Sequence, residues 1–86
     1  MNFPSPERNR IRWQCRRGML ELDLLLTDFL ETVYSNLDPS ARLDFVRLLE
    51  QPDQTLQRWL FGDGAEVDSD LQRIVQLLRN RGVDRV

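Results

Sequence analysis

Residues 19–36 read MLELDLLLTDFLETVYSN, and their spacing decides the fold class. Leu22, Leu26, Phe29, Val33 and Leu37 recur at helical period and form one apolar stripe. An amphipathic helix is predicted over 19–36. Asp38-Pro39 follows, an N-cap residue with proline at the first helical position, and opens a helix over 39–50 that buries Ala41, Phe45, Leu48 and Leu49. Gln51-Pro52 repeats the proline signal for a short helix over 52–61, packed through Leu56, Trp59 and Leu60. Gly62-Asp63-Gly64 must turn. A last helix over 69–81 buries Leu71, Ile74, Val75 and Leu78 and is expected to stop at Gly82.

Upstream, Ser5-Pro6-Glu7 caps a first helix over 6–17. Its segment Ile11–Cys15 alternates weakly, but the cap and the flanking arginines favour helix. Ile11 and Cys15 share its inner face, which makes Cys15 a small buried hydrophobe rather than a reactive thiol. Connections of two to seven residues bring neighbouring helices together. The expectation is an all-α, compact single-domain bundle of five short helices over 1–86, with flexible ends at 1–5 and 82–86.

Eighty-six residues leave room for one small core. The chain has no His and no Lys, so a His triad, a His metal ligand and a Schiff-base amine are excluded. One cysteine excludes an internal disulfide and any CxxC motif. Catalytic and metal residues are therefore expected to be none. Net charge is -2 and speaks against bulk-charge binding to nucleic acid. No apolar run approaches the roughly 20 residues of a bilayer span, so membrane insertion is not expected. The charge is segregated. Residues 1–17 carry five Arg against Glu7, while residues 18–70 carry twelve acids against Arg42, Arg47 and Arg58. Such a dipolar surface can orient a protein partner.

Some residues do not fit the core. Arg10, Trp13 and Arg17 fall at i, i+3 and i+7 on a second face of the first helix, where two guanidiniums bracket an indole. Leu20 and Leu24 point away from the inner stripe of the second helix, with Asp28 one turn further and Glu21 flanking the row. Gly18 lies between the two helices. If it ends one and caps the next, Glu21 falls at the third position and can reach back to the cap N–H. These residues form a candidate docking edge.

The stretch Arg17-Gly18-Met19-Leu20-Glu21-Leu22-Asp23 resembles the RGxxE signature of the SdhE family, the succinate dehydrogenase assembly factors. Ile11–Arg16 resembles the family's basic, Trp-containing lead-in, and Leu48-Leu49-Glu50, Asp53, Leu56 and Trp59-Leu60 resemble its LLE…D…L…WL block. The match runs from about Arg8 to Leu78.

The resemblance implies a five-helix factor that promotes covalent attachment of FAD to the flavoprotein subunit of succinate dehydrogenase and, in bacteria, of fumarate reductase. It places Arg17, Gly18 and Glu21 at the partner contact, with Asp23 beside them. Attachment in this enzyme class joins a histidine nitrogen to an isoalloxazine methyl, so the acceptor must belong to the partner. The FAD is then the partner's, with none held tightly by this chain. The lack of an N-terminal targeting segment suits a bacterial cytoplasmic member, expected to be a monomer when free. Two other readings stand beside it: an acidic helical adaptor or toxin-system protein with another partner, and a helix-turn-helix DNA binder. Asp53, in the would-be recognition helix, opposes the last.

Overall fold

The computed structural model describes residues 6–84, with side chains for 8–81. Five α-helices occur there: α1 (Pro6–Gln14), α2 (Leu20–Thr32), α3 (Pro39–Leu48), α4 (Asp53–Phe61) and α5 (Gln72–Asp84). Short 3₁₀ turns at Tyr34–Asn36 and Ser69–Leu71 follow α2 and precede α5. No strand is present among the described residues.

Local chemistry sets the helix starts. Asp38 accepts a hydrogen bond from the Ala41 N–H at 2.7 Å, and Pro39 occupies the first turn of α3, as expected. Pro52 precedes α4, whose first turn carries Asp53. At the far end of α4 a side chain at position 62 would place its Cβ 2.6 Å from the Arg58 carbonyl oxygen, so glycine is required there. Arg79 of α5 donates to the Trp59 and Gly62 carbonyls at 2.7 and 3.0 Å, satisfying acceptors that the end of α4 leaves open.

The expected inner faces are the buried ones. Ile11 and Cys15 of the α1 region, Leu22, Leu26 and Phe29 of α2, Phe45 and Leu48 of α3, Leu56 and Trp59 of α4, and Ile74 and Leu78 of α5 share one cluster. Leu25 and Leu30 widen the buried face of α2, while Val33 and Leu37 pack at its margin. Phe29 and Phe45 rings meet at 5.2 Å between centroids. α5 packs against α2, α3 and α4, which makes it the central helix.

Several boundaries differ from expectation: α3 closes at Leu48 rather than at 50, α4 opens at Asp53 rather than at 52, and residues 69–71 form a 3₁₀ turn ahead of α5. α1 ends at Gln14 rather than at 17, because Cys15 and Arg16 tighten into turn hydrogen bonds and Arg17 leaves the helix to bond elsewhere. The 19–36 helix is interrupted at Val33, where the α-pattern gives way to the 3₁₀ turn. α5 continues through Gly82 to Asp84. Glycine costs about 1 kcal/mol in a helix interior but does not forbid the conformation, so it is a permissive stop and not an obligatory one. The Ser5 cap and the ends at 1–5 and 85–86 lie outside the described residues.

Candidate functional site

The link from α1 to α2 is five residues, Cys15 to Met19, and it is built around Arg17. Its backbone N–H donates to Asp23 Oδ1 at 2.7 Å, across the first turn of α2. Its side chain is only 13% exposed and turns inward. Nε donates to the Gln14 carbonyl at 2.8 Å, closing the end of α1. Nη1 donates to the Gln51 carbonyl at 3.0 Å and to Asp53 Oδ1 at 3.1 Å, and Nη2 donates to the Leu49 carbonyl.

The expected Arg10–Trp13–Arg17 stripe is therefore not formed. Trp13 is exposed (71%), as is Arg10 on the same helix, but Arg17 has left that face. Arg16 replaces it, with its guanidinium carbon 5.7 Å from the indole centroid, a cation–π contact. Arg16 lies beyond the last regular turn, where helical spacing no longer says which way a side chain points.

Gly18 has φ +78, the left-handed region, and a Cβ there would meet no atom within 4 Å. Backbone conformation requires the glycine, and the space in front of it is open. It is not the cap of α2, however. Met19 holds that position in extended conformation, so Glu21 stands at the second helical residue and not the third. The reciprocal cap is absent, and Glu21 is exposed beside the positive end of the helix.

Leu20 (73% exposed) and Leu24 (54%) face outward as predicted. Asp28 does not continue their row. Its carboxylate accepts from Arg81 Nε at 2.8 Å and its side chain is 18% exposed, so it serves the α2–α5 contact. Shallow depressions flank the edge on both sides. One is lined by Arg12, Arg16, Gly18, Asp23, Leu24 and Thr27. The other is lined by Met19, Leu20, Glu21, Leu22, Gln57 and the exposed Phe61. Helical spacing misses Phe61. It falls outside the Leu56–Trp59–Leu60 stripe, and it lines the same depression as Leu20 only because of how the helices pack around α5.

Cys15, the single thiol, is fully buried, and that burial pushes it up to about 11 against partial relief from Arg17 and Arg12. It stays protonated at neutral pH. Among the described residues no group of His, Cys, Asp and Glu could hold a metal ion, and no helix is long and apolar enough to cross a membrane.

A family model described as the flavinator of succinate dehydrogenase matches residues 9–82. The chain belongs to this flavinator family. Among its relatives, the FAD assembly factor SdhE of Pectobacterium atrosepticum is 42% identical over 78 residues, which is 91% of this chain and 89% of that protein. The protein of the same name from Pseudomonas aeruginosa is 43% identical over 75 residues, 87% of this chain and 89% of the other. The solution structure of a UPF0350 protein superposes with a TM-score of 0.76 at 36% identity, covering 98% of this chain and 90% of that one. These relatives are named assembly factors, and the UPF0350 protein shares the helical fold described above.

Proposed function

We propose that this chain binds the flavoprotein subunit of succinate dehydrogenase through the α1–α2 edge and promotes covalent attachment of FAD to that subunit. Fumarate reductase, whose flavoprotein undergoes the same attachment according to the family resemblance, is a second substrate of the same reading. A bacterial cytoplasmic setting goes with it.

The observation that carries the proposal is the exposed Glu21 carboxylate, set between outward Leu20 and Leu24 and beside the open face of Gly18. Apolar side chains there exclude water, the glycine admits close approach of partner backbone, and the carboxylate addresses a polar group inside the contact. With no His in the chain, the histidine that accepts the flavin belongs to the partner. The factor then acts by holding the partner in the geometry that aligns flavin and histidine, since alignment alone can lower a barrier by several kcal/mol. Arg10, Trp13 and Arg16 extend the edge with positive charge and an aromatic face, a composition suited to interface anchors.

The test is the covalent flavin fluorescence of the denatured flavoprotein subunit after incubation with FAD and the factor. Wild type should raise it and folded Glu21→Ala should not. An equal signal from both removes Glu21 from the site, and no rise with wild type removes the function.

A further inference from the structure

We infer that Arg17, together with Asp23 and Asp53, positions the docking edge without touching the partner. The inference rests on the function proposed above and concerns how the edge is held.

A contact arginine needs donors facing outward. Arg17 has its fork committed to Gln14, Leu49, Gln51 and Asp53, and its side chain is largely covered. A guanidinium carries five N–H donors in a rigid plane, so acceptors on all sides leave it little to offer a second protein. Leu49 and Gln51 lie where α3 has ended and α4 has not begun, a place where carbonyls lack helical partners.

The bonds from this one residue reach four helices. Gln14 ends α1, Asp23 lies in the first turn of α2, Leu49 follows α3, and Asp53 opens α4. The next residue along the chain is Gly18, whose left-handed torsion has no side chain to restrain it. Glu21 and Leu20 lie just beyond. Arg17 on one side and the start of α2 on the other are what hold that glycine in place. An edge already ordered loses less conformational freedom when it docks, and binds more tightly for it.

This also gives a physical reason for two sequence blocks separated by some thirty residues. Arg17–Asp23 contains the donor and one acceptor, and Leu48–Asp53 contains the remaining distant acceptors. They are two halves of one clamp. Asp53, outside the RGxxE stretch, is thereby a positioning residue for it.

The experiment uses the full chain with Asp53→Asn, which keeps size and shape, and Arg17→Lys, which keeps charge but loses the fork. Amide hydrogen exchange of the free protein is followed at Arg17 and Asp23, whose N–H groups are bonded to Asp23 Oδ1 and the Met19 carbonyl, alongside flavin attachment to the flavoprotein subunit titrated with each variant. Exchange at Arg17 and Asp23 should quicken in both variants while amides of Leu26 and Leu78, inside α2 and α5, stay protected. The half-saturating concentration should rise by about tenfold, a change equivalent to a single lost interaction, with the plateau recovered at excess factor. Unchanged exchange at Arg17 and Asp23 overturns the inference, and so does a lowered plateau at unchanged half-saturation, which would mark a group acting in the complex. Should wild type fail to promote attachment, the function is lost, while the exchange measurement still decides whether Arg17 and Asp53 hold the edge.

Discussion

Arg81 and Asp28 meet at 2.8 Å between Nε and Oδ2, joining α5 to α2 across 53 positions of sequence. Both side chains are mostly covered, the carboxylate more so than the guanidinium. Partial exposure discounts the pair toward the surface range, so Asp28→Ala should lose about 1 kcal/mol. For a chain of this size that lowers the melting temperature by roughly 4–8 °C. Calorimetry of Asp28→Ala, Arg81→Ala and the double variant checks it. Strictly additive losses would show that the two residues do not interact.

Gly18→Asn and Gly18→Ala separate conformation from contact. Position 18 has φ +78 with nothing in the way of a Cβ, so the cost is torsional, about 1–2 kcal/mol for Ala and less for Asn, which tolerates the left-handed region. Thermal melts should rank wild type, Asn, Ala. Flavin attachment should fall in both variants, because each adds a side chain where the partner approaches. Full attachment by a stable Asn variant would exclude close approach at this glycine.

Glu21→Ala should keep its fold. The residue is exposed in the first turn of α2, where its favourable interaction with the helix dipole amounts to about 0.3–1 kcal/mol. Circular dichroism should report native helicity and a small shift in melting temperature, with partner-dependent flavin attachment lost. A large stability loss would instead make Glu21 a structural residue.

Cys15 predicts a pH dependence. Burial raises the folded-state thiol to about 11 from an ordinary value near 9.0. Below pH 9 both folded and unfolded chains keep the proton, and the stabilising difference is fully present. Between 9 and 11 only the unfolded chain releases it, so stability falls with rising pH by about 2–3 kcal/mol. Cys15→Ala should lack that decline even though its starting stability is lower. Parallel stability–pH curves for the two chains from pH 8 to 11 would refute the assignment.

Most of the fold is legible because helical periodicity reports a face relative to the helix's own axis. Leu22, Leu26 and Phe29 must share a side whatever they pack on, and Asp38-Pro39 starts a helix through contacts made within four residues. The same geometry turns Leu20, Leu24 and Trp13 off the inner stripes, but that no neighbouring helix covers them is a result of the tertiary structure. The ends are less legible. Whether α1 reaches Arg17 depends on small local costs that distant hydrogen bonds outweigh, and a glycine's modest helix cost does not stop α5 at Gly82.

From the amino-acid order alone came five helices, their buried faces, the absence of histidine chemistry and the family. Tertiary structure decided which of the conspicuous residues look outward. Arg17 looks like a contact on a helical wheel, yet its acceptors are carbonyls 32 and 34 residues away and a carboxylate 36 away. Asp28 is likewise drawn to α5, and Phe61 comes to line a depression with Leu20 only when α2 and α4 have both packed on α5. A long polar side chain takes its partners from whichever elements the core brings near, and local spacing does not contain that information.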